Sequence, residues 1–452
     1  MTVIIAACDV PSRVAKILTG IFPERRSMTT LAIQTASRPL DATILLPGSK
    51  SLTNRALLIA ALAEGTSIIR RALFSDDTRA MHGSLTALGI AVEADEANQM
   101  YTVHGARGTI PASSATLFVG NAGTAARFLT AAVALGHGRY VVDGVPRMRQ
   151  RPIQPLIDGL RQLGVDARAE FDNGCPPVIV QGTGLPGGTA RVRGDISSQY
   201  FSALMLAAPH ALNDVEVQVE GTLVSVPYVE MTAGIMAEFG VHVDVHGESG
   251  FRVPAGQKYQ ARDYVVEPDA SGASYFFAAA AVTGGHVRVP FLGPRSPQGD
   301  LGLLEVLERM GCRVQREAEA IDLWGPKTLL GVDADFERMG DVFSTLAAIA
   351  PFASGPVRIS GIAQTHHEES DRPVAVATEL RRMGIRVEDN YDSLVIHPGL
   401  PQPAEIQTYD DHRIAMSFAI TGLRAPGIVI AEPGCVAKTF PEFFEVLTTA
   451  VV

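Results

Sequence analysis

The stretch Ser49–Gly65, "SKSLTNRALLIAALAEG", decides how this chain is read. It opens with small, polar and basic residues and then turns into an unbroken apolar run. Ser suits a helix N-cap because its hydroxyl accepts a bond from a free backbone N–H. The apolar half has the length of a core helix. Two readings of the polar half compete. Lys50, Ser51 and Arg55 are either solvated residues of a capped helix or anion ligands at a helix start, where free N–H groups favour phosphate and carboxylate.

The pattern recurs five more times, as "NAGTAARFLTAAVALG", "DISSQYFSALMLAAP", "DASGASYFFAAAAVTGG", "DVFSTLAAIAPFASG" and "DHRIAMSFAITG". The expected starts are Ser49, Asn121, Asp195, Asp269, Asp341 and Asp411, at spacings of 70 to 74 residues. A second element lies between the copies: an amphipathic helix ending in Gly, then a short β-branched run, as in "LTALGIAVE" and "LRRMGIRVE". Gly89, Gly164, Gly240, Gly311 and Gly384 suit the left-handed position that ends a helix. Short alternating strands fill the remainder.

Six α+β units therefore account for the chain from Met28 onward. That length exceeds what one core usually holds, so two lobes of three units are expected. The sixth unit lacks a strand after its last helix, and "DATILLPG" is expected to supply it. The expected division places residues 28–48 and 267–452 in the lobe holding both termini and residues 49–266 in the other. The chain then crosses near Pro47–Ser49 and Glu267–Asp269. Residues 1–27 fit the pattern poorly and are expected to form a disordered extension without function.

The 452 residues are 46% hydrophobic with a net charge of −10, which describes a globular chain and argues against general nucleic-acid binding. No apolar run approaches the ~18 residues of a membrane span. Cys8, Cys175, Cys312 and Cys435 are scattered, with no metal-binding or disulfide pattern, which suits a reducing cytoplasm. The sequence lacks a P-loop, GxGxxG, GxSxG and HExxH, so no metal or organic cofactor is implied.

Basic residues gather at the helix starts: Lys50, Arg55, Arg127, Arg147, Arg149, Arg151, Arg372, Arg413 and Lys438. Alone, each start also fits an ordinary cap; "PRMRQRP", with arginines at alternate positions, fits one least. The recurrence favours a shared site. Six equivalent starts carry different polar residues, as expected if one anionic site asks a different task of each.

The motifs resemble those of the EPSP synthase family, in the family's order and over about residues 28 to 450. They are "LPGSKSLTNRALLIAALAEG", "GNAGTAARF", "DGVPRMRQRPI", "DISSQYFSALM", "LVSVPYVEMT", "DASGASYFFAAAA", "EESDRPVAVATELRRMG", "YDDHRIAM" and "AKTFPEFFEVL". The resemblance implies a two-lobed α/β enolpyruvyl-transferase fold, an inside-out α/β barrel of six βαβαββ-type units, three per lobe. It implies transfer of the enolpyruvyl group of phosphoenolpyruvate to the 5-hydroxyl of shikimate 3-phosphate, with release of phosphate, on the route to chorismate and aromatic amino acids.

Carried over by motif, the shikimate 3-phosphate ligands are Lys50, Ser51, Arg55, Ser197, Ser198, Gln199, Ser225, Tyr228 and Asp341. Those for phosphoenolpyruvate are Lys50, Asn121, Gly123, Thr124, Arg147, Gln199, Arg372, His412, Arg413 and Lys438. Asp341 is implied as the base, Glu369 as the acid or proton relay, and Lys50 as a catalytic cation near both substrates. The resemblance implies no metal or cofactor, no nucleic-acid or membrane partner, a cytoplasmic location and a monomer. Three positions depart from the family pattern: Gln364 and Glu368 stand where many members have Asn and Lys, and Phe128 where many have Pro. Two alternatives remain. One is the sister transferase acting on UDP-N-acetylglucosamine, which typically has a Lys-Asn pair and a catalytic-loop Cys where this chain has Lys50-Ser51 and "RMRQR". The other is a catalytically dead binder of phosphorylated metabolites.

Overall fold

The computed structural model describes residues 29–451; the N-terminal extension of residues 1–27 lies outside them. Among the described residues there are six small sheets, one for each sequence repeat. The second unit shows the plan. Strand Ser114–Phe118 leads through helix Gly123–Ala132 to the parallel strand His137–Asp143. Helix Gln154–Gln162 follows, then strands Asp166–Ala169 and Val178–Thr183, the latter antiparallel to both His137–Asp143 and Asp166–Ala169. The order is βαβαββ, and the third and fifth units repeat it. The glycines that end the second helices, Gly89, Gly164, Gly240, Gly311 and Gly384, all have φ between 78° and 103°, the region where a Cβ is disfavoured.

The first and fourth units take their opening strands from each other's chain segments. Asp263–Val265 runs parallel to Glu64–Arg70, and Asp41–Thr43 runs parallel to His286–Pro290. This corrects one expectation: "DATILLPG" does not complete the sixth sheet. Thr30–Ala32 does so, antiparallel to Ile428–Ala431. The reason is topological. Asp41–Thr43 precedes the helix that begins at Lys50, yet it pairs on the side of the molecule the chain is about to leave. Asp263–Val265 does the same before the helix that begins at Ala270.

Where the two segments pass, they hold each other: Ser49 N–H donates to Glu267 O at 2.8 Å and Asp269 N–H to Pro47 O at 3.1 Å. Gly48 bridges Pro268 there. A Cβ on Gly48 would lie 2.0 Å from the Arg71 carbonyl oxygen, so only glycine permits this close approach.

Two hydrophobic clusters form. One gathers residues from Leu52 to Val266; the other gathers Leu40, Ile44 and Leu46 with residues from Ala270 to Val451. The first helix of each unit lies at the centre and is buried nearly all round, as in Ala270–Thr283, where only Ser271 is not fully buried. A helix apolar on every face must be enclosed, so helices fill the interior and the sheets form the outer wall. Small residues let the central helices pack closely. Gly123–Ala132 packs on Gln199–Ala207, and Phe343–Ile349 on His412–Gly422. Their few buried hydroxyls pair across the contact, as do Ser344 with Ser417 at 3.2 Å and Ser274 with Thr345 at 3.0 Å, which offsets the cost of burying them. The consequence for function is direct: the central helices open their N-termini onto the cleft between the two clusters.

Candidate active site

Three helix starts behave as the repeat predicts. Ser49, Asp269 and Asp411 are N-caps, accepting from the N–H groups of Leu52, Gly272 and Arg413. The other three differ. The cap after Asn121 is Ala122, the helix after Asp195 begins only at Gln199, and the helix after Asp341 begins at Phe343. Asp195 pairs with Arg193 at the surface. Asp341 turns its carboxylate into the cleft, so a residue that reads as a cap is free for chemistry.

Arg372 is the centre of the charged wall. It is 1% exposed, and its three nitrogens go to three carboxylates: Nε to Asp411 at 2.9 Å, Nη1 to Asp341 at 2.9 Å and Nη2 to Glu369 at 2.5 Å. A planar guanidinium meets this demand where an ammonium would not. Asp341 also pairs with Arg413 at 2.8 Å and accepts from the Tyr228 hydroxyl at 2.8 Å. Burial raises the Asp341 pKa, but Arg413, Arg372 and Lys50 outweigh it and hold the carboxylate at about 2. Glu369 is buried too, and Arg151, Lys438 and Arg372 keep it well below the usual carboxylate range.

The facing wall is mostly neutral. Ser51, Thr124, Ser197, Ser198, Gln199, Ser225 and Tyr228 line it, together with Gly123. Ser225 sits at φ 54°, the left-handed conformation, as it enters helix Val226–Glu238; its N–H donates across the cleft to Glu337 O at 3.1 Å. Such a conformation in a non-glycine residue costs of order 1–3 kcal/mol and is characteristic of functional sites. Arg55 is a buried cation of this wall. Its partners are hydroxyls and carbonyls of Thr232, Ser51, Ser202 and Tyr228, with no carboxylate among the described residues. Phe128 underlies it, the guanidinium carbon 5.1 Å from the ring centroid. Burial lowers the Arg55 pKa to about 10, so an anion meeting this group faces a cation without a counter-ion.

Most of the residues singled out by sequence line one cleft: Lys50, Ser51, Arg55, Gly123, Thr124, Ser197, Ser198, Gln199, Ser225, Tyr228, Asp341, Glu369, Arg372 and Arg413. Asn121, Arg147, His412 and Lys438 stand behind this surface. Lys438 bonds Asp77 at 2.7 Å and the Asn121 carbonyl at 2.7 Å, and lies 3.4 Å from Glu369. Arg147 reaches across to the carbonyls of Glu369 at 3.0 Å and Glu368 at 2.8 Å. His412 is fully buried; its enclosure, with Arg413 nearby, keeps the imidazole neutral.

Three lining or supporting groups escaped the motif reading. Arg151 is 2% exposed and bonds Glu368 at 2.7 Å and Glu369 at 3.4 Å, which neutralises the reversed charge at Glu368. A Cβ on Gly123 would sit 2.8 Å from the Arg151 Nη2, so this glycine makes room for a pinned guanidinium. Asp77 pairs with Lys438 at 2.7 Å and with Lys50 at 3.7 Å. Asp300 lies behind Asp341 and Tyr228. The alternate arginines of "RMRQR" were the signal for Arg151: Arg147 and Arg151 turn inward, while Arg149 pairs with Asp143 nearer the surface.

The family model described as EPSP synthase (3-phosphoshikimate 1-carboxyvinyltransferase) matches residues 34–447. The 3-phosphoshikimate 1-carboxyvinyltransferase of Nostoc punctiforme is 51% identical over 417 residues, 92% of this chain and 98% of that protein. The chloroplastic enzyme of the same name from Solanum lycopersicum is 47% identical over 430 residues, 91% of this chain and 82% of that protein. The solved structure of EPSP synthase from Acinetobacter baumannii superposes with a TM-score of 0.78 at 28% identity, covering 93% of this chain and 97% of that one.

Proposed function

The chain belongs to the EPSP synthase family, and from that premise we propose how its residues divide the reaction. The enzyme transfers the enolpyruvyl group of phosphoenolpyruvate to the 5-hydroxyl of shikimate 3-phosphate, giving 5-enolpyruvylshikimate 3-phosphate and phosphate, a step of the shikimate pathway.

In the proposed division, Asp341 is the base that takes the proton of the 5-hydroxyl, and Glu369 delivers a proton to carbon 3 of phosphoenolpyruvate. The observation that carries this is their pairing on one guanidinium: both carboxylates bond Arg372, yet Asp341 faces Tyr228 and Lys50 while Glu369 faces Arg151 and Lys438. Two carboxyls in different surroundings can hold opposite roles. Asp341 is ionised at neutral pH, as a base must be. Glu369 is ionised as well, but phosphoenolpyruvate brings several negative charges to the same cations. Sharing Arg151, Arg372 and Lys438 with that anion raises the Glu369 pKa and lets it gain the proton it donates.

The 5-oxygen bonds to carbon 2 as carbon 3 is protonated. Loss of phosphate, with return of the carbon 3 proton to Glu369, restores the methylene. Lys50, Arg147, Arg372, Arg413 and Lys438 hold the phosphoenolpyruvate charges and stabilise the departing phosphate. The Nε of Arg413 and the side-chain oxygen of Gln199 are buried without a partner among the described residues, which suits them to a ligand. Gly123, Thr124 and Asn121 shape the turn beside it, with His412 in support. Ser51, Arg55, Ser197, Ser198, Ser225 and Tyr228 hold shikimate 3-phosphate, with Arg55 opposite an anionic group.

Residues 49–266 and the remainder act as lobes that hinge at the paired crossings and exclude water on closing; the two hydrophobic clusters and the bridge at Gly48 support this. Every residue invoked comes from one chain, so a monomer suffices. No helix among the described residues is long and apolar enough to cross a membrane, and Cys175, Cys312 and Cys435 are free thiols, which supports a cytoplasmic enzyme. A run in D2O tests the acid. Wild-type enzyme is expected to wash solvent deuterium into the product methylene; Glu369→Gln should lose that exchange by about 100-fold or more, and undiminished exchange would remove Glu369 from the role.

A further inference from the structure

One buried acid in the charged wall has no task in this division. Asp300 lies in the short helical turn Gly299–Gly302 and is 4% exposed. Asp341, Glu369 and Asp411 all pair with Arg372, whereas Asp300 makes no ion pair among the described residues. Its Oδ2 accepts from the Ser271 hydroxyl and lies 3.4 Å from the Tyr228 hydroxyl. That same phenol donates to Asp341 Oδ2 at 2.8 Å. Asp300 Oδ1 is buried without a partner among the described residues. One phenol thus stands between two carboxyls, one ringed by cations and one not.

We propose that Asp300 is a positioning residue for the reaction, closing a path Asp341–Tyr228–Asp300 that receives the proton lost by the attacking hydroxyl. The path rests on Asp341 being the base. As the carbon–oxygen bond forms, the hydroxyl proton moves to Asp341. Tyr228 takes that proton and gives its own to Asp300 Oδ2, so the phenol ends neutral and one negative charge has moved from Asp300 to the bond-forming centre. As the carbon–oxygen bond to phosphate breaks, the proton retraces the path to Asp341 and passes to an oxygen of the departing phosphate, leaving Asp300 and Asp341 ionised again. Arg372 and Arg413 make Asp341 ready to accept but poor at keeping a proton; Asp300, without such a partner, keeps it.

The groups facing Asp300 agree. Asp341 comes from the turn Gly340–Val342, Tyr228 from helix Val226–Glu238, Arg413 from helix His412–Gly422, and Asp269 caps helix Ala270–Thr283. Burial, reinforced by Asp341 and Asp269 and opposed by Arg413, pushes the Asp300 carboxyl up to about 7. Asp300 must be ionised to accept, so wild-type turnover gains an acid limb near neutral pH.

The test is the pH profile of kcat at saturating substrates for Asp300→Asn, Tyr228→Phe, the double variant and Asp341→Asn, with calorimetry of shikimate 3-phosphate binding for each. Asp300→Asn is expected to lose about tenfold or more in kcat, to lose the acid limb, and to bind shikimate 3-phosphate within about threefold of wild type. Tyr228→Phe should lose the same limb, and the double variant should lose no more kcat than the worse single variant. Asp300→Asn with wild-type kcat, or with the limb intact, overturns the path, as does a double variant whose loss is the product of the two. If Asp300→Asn does not fold, Tyr228→Phe decides alone: a retained limb overturns the path and a lost limb supports it. Near-normal Asp341→Asn would instead overturn the base assignment, so the two failures are distinguishable.

Discussion

The two walls of the cleft are built from the same repeat and differ in where their carboxyls lie. The wall from the first three units offers hydroxyls, an amide, glycine backbone and the cations Lys50, Arg55 and Arg151, with Asp77 as its one acid among the lining residues; the wall from the last three carries Asp341, Glu368, Glu369, Arg372 and Arg413. One wall is equipped to recognise a polyol phosphate, the other, with its clustered carboxyls, to move protons; both supply cations. The repeat supplies the frame six times, and the residue at each helix start supplies the difference. Carboxyls concentrate on one wall, where Asp341 and Glu369 share cations that keep both ionised while Asp300, without an ion pair among the described residues, is raised by burial.

Substitutions should separate the walls. On the charged wall, Asp341→Asn is expected to lower kcat by about 10³-fold, within the range for a general base, measured as phosphate release. Arg372→Lys leaves carboxylates at Asp411, Asp341 and Glu369 competing for one ammonium. It should cost about 3 kcal/mol of stability, as for other broken buried pairs, seen as a lower denaturant midpoint with activity reduced alongside. On the facing wall, Gly123→Ala puts a methyl where the Arg151 guanidinium lies. It should raise the KM for phosphoenolpyruvate by about tenfold, the equivalent of roughly 1.4 kcal/mol, and leave binding of shikimate 3-phosphate unchanged. A Gly123→Ala enzyme that weakened both substrates equally would blur the distinction between the walls.

Much of this was legible before any coordinates, and the gaps have physical causes. The six units follow from local signals: cap residues at Ser49, Asp269 and Asp411, and glycines that end helices. Asp195 misled because the chain bends at Asp195 and Ile196 and enters the helix only at Gln199, leaving Asp195 to Arg193. Asp41–Thr43 misled because strand exchange between units leaves no trace in spacing. Arg151 and Arg149 read alike in "RMRQR", and only the packing of Glu368 and Glu369 against one of them tells them apart. Asp300 was not legible at all, since Tyr228 lies 72 residues earlier and Asp341 41 residues later. Contacts between distant helix starts are set by the packing of the central helices, which no local window contains.

The central claim is that the hydroxyl-bearing wall holds shikimate 3-phosphate and the carboxyl-bearing wall moves the protons, and one matched pair of variants tests it. Calorimetry of shikimate 3-phosphate and phosphate release at saturation are measured on Ser197→Ala/Ser198→Ala and on Asp341→Asn. Two lost hydrogen bonds at about 1 kcal/mol each predict roughly 30-fold weaker binding for the serine variant, with kcat within about threefold. Asp341→Asn should show the reverse, near-normal binding with turnover almost abolished. Loss of both properties in both variants, or near-normal turnover by Asp341→Asn, would contradict the account.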